Sequence, residues 1–167
     1  MSTSAKKTAK AQPAPQPRDR QVAANRRARF DYDILDTVEA GLVLTGSEIK
    51  SVRQGKVDLR DAYARPVRRE MWLENAHIAP YVQAGLTNHS PKRSRKLLLH
   101  RHEIDELAAK IGQKGFTAVP LRLYIKGRVA KVLLGLGRGK RRYEKREALL
   151  QRAVERDTQR EMKGAYR

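Results

Sequence analysis

The 167-residue chain contains no cysteine, so it can form neither disulfide bonds nor thiolate zinc sites. A reducing cytoplasm is therefore the expected compartment. No run of about 18 apolar residues occurs, and we expect no segment that spans a membrane. Only 5% of the residues are aromatic, which is few for a protein that stacks unpaired bases. If the partner is RNA, recognition through backbone, 2′-hydroxyl groups and shape is expected, which favours a folded RNA.

Acidic residues are scarce beside the basic ones, with 18 Asp and Glu against 37 Lys and Arg and a formal net charge of +19. Repulsion among so many positive charges opposes compaction of the chain and favours binding to a polyanionic partner, either nucleic acid or an anionic membrane. Positive charge is densest near the two ends, as in arms that grip phosphates. The middle of the chain is basic as well, which favours a binding function over two solubilising tails.

Residues 1–24 are rich in Ser, Ala, Lys, Pro and Gln and nearly free of acids. This composition overlaps with that of transit peptides, but the arginine-rich amphipathic repeat is missing, and no apolar secretion segment is present. We expect a disordered basic arm over residues 1–24. A folded core over 25–138 and a basic tail over 139–167 would follow.

Short strand patterns dominate the middle of the chain. The predicted strands are residues 30–37, 42–44, 61–68, 71–78, 118–125 and 129–136. Glu39-Ala40-Gly41 is predicted to be a tight turn between the first two, and Lys126-Gly127-Arg128 to be the hairpin turn between the last two.

Two small helices are predicted among these strands. Thr45 followed by Glu48 is a capping-box pattern that opens a short helix, which Gly55 ends. Residues 103–115 have apolar side chains at helical spacing, and residues 83–94 resemble a mobile loop. Connections this short exclude repeated βαβ crossovers. We therefore predict a mainly β fold with small helices, arranged as an OB-fold-like closed barrel.

No residue pattern supports catalysis or a bound metal. His100 and His102 lack a third ligand at metal-binding spacing, and Asp31 and Asp33 are read as the solvent side of a strand. The glycines at 135–139 only superficially resemble a phosphate-binding loop, because the other residues of that motif are absent. They are read as a flexible hinge. We expect no enzyme activity, no cofactor and no metal site.

Glu39 is the one acidic residue whose surroundings leave two interpretations open. It stands in the predicted turn amid an excess of positive charge, so it could serve a function there. It could equally form an ion pair with a nearby arginine.

Several ordered segments together are typical of one family. They are Asn-Arg-Arg-Ala-Arg at 25–29, Glu-Ala-Gly-Leu-Val-Leu at 39–44, Gly-Ser-Glu-Ile-Lys-Ser-Val-Arg-Gln-Gly at 46–55, Arg-Lys-Leu-Leu-Leu at 95–99 and Gly-Lys-Arg-Arg-Tyr-Glu-Lys-Arg at 139–146. From about Asn25 to its C-terminus the chain resembles the SmpB family of SsrA-binding proteins, the bacterial partners of transfer-messenger RNA (tmRNA).

The resemblance implies an OB-fold core that holds the tRNA-like domain of tmRNA. It also implies delivery of that complex, with elongation factor Tu, to ribosomes stalled on broken messages, and it implies no chemistry by the protein itself. The tmRNA-binding residues that it implies are Asn25, Arg26, Glu39, Arg95, Lys96, Leu97 and Lys131.

The tail, by the same resemblance, occupies the empty messenger channel and reaches the decoding centre of the small ribosomal subunit. The ribosome-binding residues implied are Gly139, Lys140, Arg141, Tyr143, Lys145, Arg146 and Met162. Good helix formers run uninterrupted from Tyr143 to Lys163 but carry few apolar side chains. Because helices without tertiary support are marginal in water, we expect a tail that is disordered when free and helical when bound.

Two other classes of function remain. A general OB-fold protein that binds structured RNA or the ribosome, with tails acting as unspecific phosphate clamps, is the main alternative. A metal-dependent nuclease on an OB scaffold is the third, and the scattered acidic residues disfavour it.

Overall fold

The computed structural model of the chain describes residues 19–164, without the side chain of Arg142. The strands are β1 (Asp19–Ala24), β2 (Tyr32–Leu42), β3 (Val57–Asp58), β4 (Tyr63–Val67), β5 (Glu70–Glu74), β6 (His77–Ile78), β7 (Arg95–Leu98), β8 (Phe116–Lys126) and β9 (Val129–Gly139). The helices are α1 (Ala28–Asp31), α2 (Gly46–Arg53), α3 (Arg101–Ile111) and α4 (Arg142–Gly164), with a 3₁₀ segment at Val82–Thr87.

Seven of the strands form one antiparallel sheet in the order β1-β8-β4-β5-β7-β2-β9. Since β8 and β9 also pair with each other, the pairings from β8 through β4, β5, β7 and β2 to β9 return to their start as a ring of six strands. The short strands β3 and β6 pair separately. The prediction of a mainly β fold with small helices is confirmed.

Two of the three 11-residue strands, β8 and β9, have near-continuous apolar sequences because both of their faces are covered. One face contributes Leu123, Val132 and Leu134 to the main core inside the ring. The opposite face contributes residues such as Leu121 and Leu133 to a smaller cluster, which Ala28 of α1 covers. The predicted hairpin between these strands is confirmed, with Gly127 at a positive φ of 62° in the turn.

The predicted tight turn at residues 39–41 is wrong. Strand β2 runs through these residues to Leu42 and pairs with β9 as far as Gly41 opposite Lys131. Gly41 serves close packing instead, since a Cβ placed there would lie 3.2 Å from the Cβ of Leu98 on β7. A glycine that permits close approach within a sheet has the same sequence signal as a turn glycine.

The strands around the next hairpin are shorter than predicted. The range 61–68 contains β4, and the range 71–78 holds most of β5 and all of β6. The turn between them lies at Arg68 and Arg69, which both have a positive φ.

The predicted disordered arm extends too far along the chain. Its residues 1–18 lie outside the described range, but residues 19–24 form β1 and pair along the outer part of β8, from Asp19 opposite Lys126 to Ala24 opposite Arg122. The Pro-rich residues before Arg18 dominate the composition of the segment 1–24. The short strand that follows them therefore cannot be recognised from that composition.

Both predicted core helices are present with adjusted ends. In α2 the Glu48 carboxylate accepts a hydrogen bond from the backbone N–H of Thr45 at 2.8 Å, as the capping pattern predicts. Gly55 follows that helix with a φ of 76°. Helix α3 begins at Arg101, two residues before the predicted start. Within residues 19–164 no helix combines the length and the apolar character needed to cross a membrane.

Residues 142–164 of the tail form one helix, α4. The expectation that the tail is disordered when free and helical when bound stays a prediction. The Glu144 carboxylate accepts a hydrogen bond from the backbone N–H of Arg141 at 2.8 Å, and Lys145 forms an ion pair with Asp31 of α1 at 2.9 Å. These contacts at its first turn supply the support that the sequence of the tail alone does not reveal.

Replacing Gly137 of β9 with alanine is expected to destabilise the fold. The new Cβ would lie 2.9 Å from the backbone oxygen of Asp33 and 3.0 Å from the Cδ1 of Ile34. The backbone of β2 cannot move aside as the end of a flexible side chain could. We therefore expect the free energy of unfolding to fall by about 1–3 kcal/mol in urea titrations. Gly139→Ala is the control, since nothing lies within 4 Å of a Cβ there. Equal effects of the two changes would contradict this packing.

Candidate nucleic-acid interface

Arg95, at the start of β7, is completely buried and ion-paired. Its Nε donates to Oε1 of the equally buried Glu48 at 2.8 Å, and its terminal nitrogens donate to the backbone oxygens of Ala76 at 2.6 Å and Pro91 at 3.0 Å. Arg93 donates to the other Glu48 oxygen at 2.6 Å. Arg95 therefore joins α2 to the start of β7. The guanidinium does not reach the surface, so its predicted part in tmRNA binding would be indirect.

The Glu48 carboxylate is held in its ionised form by these partners. Although burial opposes ionisation, the hydrogen bonds from Arg93 and the Thr45 N–H and the charge of Arg95 lower the pKa of Glu48 to about 2, from an ordinary value of 4.5. A buried charge pair contributes to stability only when it is fully hydrogen-bonded. Here all of the charged groups have partners.

Two more of the predicted tmRNA-binding residues also face inward. Leu97 belongs to the main core, with 1% of its surface exposed. Asn25 is buried before α1, where its Nδ2 donates to the backbone oxygen of Leu59 at 2.9 Å and its Oδ1 accepts from the N–H of Ala28 at 3.1 Å. Both side chains make their contacts within the interior, so their predicted part in tmRNA binding would be to position neighbouring residues.

The neighbours of Arg95 and Leu97 point outward, because side chains alternate along a strand. Lys96 lies on the outer face of β7, where its Nζ is 2.5 Å from Oε1 of Glu70. Leu98 follows on the same face, 54% exposed and opposite Gly41 of β2. Sequence reasoning missed Leu98. Alternation would have identified it once Leu97 was assigned to the core.

Glu39 and Lys131 meet on the same outer face, next to Gly41. The Lys131 Nζ lies 2.5 Å from Oε1 of Glu39, and the Tyr124 hydroxyl donates a hydrogen bond to its Oε2. Partial burial opposes ionisation, but the hydrogen bonds from Lys131 and Tyr124 hold the pKa of Glu39 below its usual value. Glu39 thus forms an ion pair, as one of its two interpretations predicted, although the partner is a lysine and not an arginine.

These side chains, together with the buried Tyr124, lie on one face of the adjacent strands β7, β2, β9 and β8. We call it the outer strip and define it as Glu39, Lys96, Leu98, Tyr124 and Lys131. It brings two ion-paired lysines and an exposed leucine to the same face of the sheet. This combination suits the phosphates and the shallow sugar-lined groove of a folded RNA. Arg26, exposed directly after the buried Asn25, lies outside the strip.

The predicted tail residues are spread along the segment after β9 and do not converge on one point. The backbone N–H of Lys140 donates to the backbone oxygen of Asp31 at 2.9 Å, and Lys145 pairs with the Asp31 carboxylate. That hydrogen bond from Lys145 holds the pKa of Asp31 below its usual value. Tyr143 and Met162 are about 60% exposed and are separated by roughly 28 Å of helix. The other tail residues predicted to bind the ribosome are Gly139, Arg141 and Arg146, and all three are exposed.

The histidines and acidic residues do not assemble into a reactive centre. The rings of His100 and His102 stack with their centroids 5.8 Å apart at the start of α3. Among residues 19–164, no three histidine, aspartate or glutamate side chains come together in a way that could hold a metal ion.

A ring of antiparallel strands, a cationic outer face and a cationic C-terminal helix define a small β protein of the polyanion-binding class. The SmpB protein family matches residues 22–164, and the chain belongs to this family. An SsrA-binding protein of Staphylococcus saprophyticus is 54% identical over 145 residues, which are 87% of this chain and 94% of the relative. One of Chloroflexus aggregans is 56% identical over 147 residues, 87% of this chain and 93% of the relative.

The fold is also similar to a solved structure described as "tmRNA-SmpB: a journey to the center of the bacterial ribosome". The two chains are 52% identical and superpose with a TM-score of 0.63, over 76% of this chain and 93% of the other.

We predict that Glu48→Gln lowers the free energy of unfolding by about 3–5 kcal/mol, since it leaves the Arg95 charge buried without its counterion. Because the pKa of Glu48 is depressed on folding, the stabilisation from its ionisation is complete above about pH 4.5. It is lost as the pH falls toward about 2. Urea titrations across this range should show a steep loss in the parent chain and a shallower one in the variant.

Glu106→Gln is the matched control for this change, because Glu106 is exposed and pairs only with Lys110 along α3. We expect it to change stability by less than about 0.5 kcal/mol. A Glu48→Gln variant as stable as the control would contradict the structural role of the buried pair.

Proposed function

We propose that this protein binds the tRNA-like domain of tmRNA through the outer strip and delivers it to stalled ribosomes for trans-translation rescue. The observation that carries the proposal is the geometry of β7 and its neighbours. The inward residues fix the strand, and Lys96, Leu98 and the Glu39–Lys131 pair are left facing outward. Membership of the SmpB family and relatives named SsrA-binding proteins support this assignment.

Recognition in this proposal depends on shape. The ring of six strands acts as a closed OB-like barrel and presents a rigid surface, on which Lys96 and Lys131 contact phosphates and Leu98 lies against the sugar-lined groove. Glu39 orients Lys131 and the Tyr124 hydroxyl. Asn25, Arg95 and Leu97 act indirectly, by holding α1 and β7 in place.

The tail, α4, is proposed to enter the empty messenger channel and reach the decoding centre of the small subunit. Its 23 residues span about 35 Å as a helix. Lys140, Arg141, Lys145 and Arg146 would contact ribosomal RNA phosphates, and Tyr143 would stack on a base. Met162 would be an apolar contact near the far end.

Delivery is proposed to take place in the cytoplasm in a complex with elongation factor Tu, without catalysis by this chain. The outer strip and α4 supply charge, shape and stacking surfaces, which are binding functions. Unspecific RNA binding is the alternative, because a basic outer face would also attract other structured RNAs.

Leu98→Ala and Leu97→Ala should have opposite effects. Leu98 is exposed on the outer strip, so its truncation should weaken tmRNA binding about tenfold, which is 1.4 kcal/mol, with little change in stability. Leu97 is buried, and its truncation should lower the free energy of unfolding by about 2–5 kcal/mol, with affinity per folded molecule retained. Gel-shift titration and urea unfolding measure the two quantities. Binding lost only in the Leu97 variant would contradict the outer strip.

Ending the chain after Arg138 should separate the two proposed activities. The ring and the outer strip remain, so tmRNA binding should persist within about threefold, which is less than 1 kcal/mol. Tagging of stalled chains in a reconstituted translation reaction should collapse, because nothing then occupies the messenger channel. Loss of tmRNA binding together with tagging would mean that α4 is part of the RNA-binding surface.

A further inference from the structure

A pocket of about 220 Å³ opens beside the outer strip, between β1, α1 and the β8–β9 hairpin. Three arginines, Arg26, Arg29 and Arg122, line it, together with the apolar side chains of Leu121 and Leu133. The remaining lining residues are Gln21, Ala24 and Asn25, so none of the residues that line the pocket is acidic. The pocket therefore combines concentrated positive charge with an apolar wall.

The Arg122 side chain is fixed by a neighbouring ring and has a buried donor without an acceptor among the described residues. Its guanidinium carbon lies 5.3 Å from the centre of the Tyr124 ring, a cation–π contact that fixes the side chain. Its Nε is buried and donates to no acceptor among the described residues. Buried donors without acceptors are rare in native proteins and call for an explanation. Because Arg122 as a whole is only half-buried and lines the pocket, a ligand with acceptor oxygens would meet its guanidinium group there.

The chemistry of the missing acceptor follows from the donors. Guanidinium groups bind phosphate oxygens through two parallel hydrogen bonds, in a bidentate geometry, and they stay charged at all relevant pH values. Several of them in one recess, with no carboxylate among the lining residues, favour an anion with several oxygens over a neutral group.

The pocket is continuous with the outer strip along β8. Arg122 packs on Tyr124, whose hydroxyl bonds to Glu39, and Glu39 in turn pairs with Lys131. Across the hairpin, Arg122 stands opposite Leu133 and Tyr124 opposite Lys131. An RNA backbone that follows the outer strip toward α1 would therefore arrive at the pocket.

We propose that Arg122, together with Arg26 and Arg29, forms a binding pocket for a backbone phosphodiester of the folded RNA. This inference rests on the proposed function and adds to it a defined phosphate contact beside the outer strip. Arg122 is the central donor, because its side chain is already fixed before the RNA arrives.

The test compares Arg122→Gln with the parent chain in tmRNA binding at several salt concentrations. Glutamine keeps a polar side chain able to lie against Tyr124 but loses the charge. We expect about tenfold weaker binding and a slope of log affinity against log salt that is less steep by about 0.9, the loss of one phosphate contact. Arg122→Lys should keep most of the slope and recover only part of the affinity, because lysine lacks the bidentate geometry.

Two further variants keep the test decisive. Arg53→Gln removes an exposed charge at the end of α2 and does not line the pocket, so its slope and affinity should match the parent. Arg26→Gln changes an exposed residue of the same pocket lining. It should give the same weaker tmRNA binding and the same shallower slope of log affinity against log salt. It keeps the test valid if Arg122→Gln proves unstable in thermal melts.

An unchanged slope and affinity in both Arg122→Gln and Arg26→Gln would overturn the pocket, while tmRNA binding by the parent chain would leave the proposed function standing. Failure of the parent chain to prefer tmRNA would instead overturn the proposed function.

Discussion

The buried ion pair between Arg95 and Glu48 is the interaction on which the rest of the structure depends. Neither side chain has any surface in contact with water, so the pair is favourable only because both Glu48 oxygens and all three Arg95 side-chain nitrogens have hydrogen-bond partners. By joining α2 and the segment before β7, it fixes which side of β7 faces the core. Leu97 then enters the core, and Lys96 and Leu98 must face outward.

The outer strip thus lies on the outer face of strands whose inward-facing residues hold the fold together. Leu97 and Arg95 supply the burial and the ion pairing, while the outer strip keeps its charges near the surface and available to phosphates. Gly41 lies between the two parts of this surface, because it pairs with Leu98 on one side and with Lys131 on the other, and its lack of a side chain lets Leu98 pack close to β2. At the other end of the fold, the Asp31 carboxylate of α1 pairs with Lys145 in the first turn of α4, and Phe30 lies under Arg152 further along that helix.

Much of the fold could be predicted from the sequence, because local signals and tertiary structure agree there. The Thr45–Glu48 helix start and the hairpin at Gly127 are examples. Prediction failed where one signal has two physical causes. Gly41 has the composition of a turn but permits close packing within a strand, and residues 19–24 follow a Pro-rich segment yet pair with β8. For the site, the segment containing Arg95–Leu98 was identified, but its motif does not reveal which side chains face the core.

The central claim is that this outward surface recognises the shape of one folded RNA, and a competition measurement at physiological salt tests it most directly. Labelled tmRNA is bound to the full chain and challenged with excess tRNA and with random RNA of equal length. The account predicts that tmRNA stays bound, because unspecific phosphate contacts are equally available to every competitor. Equal displacement by tRNA or random RNA would contradict it and would favour a general RNA-binding protein.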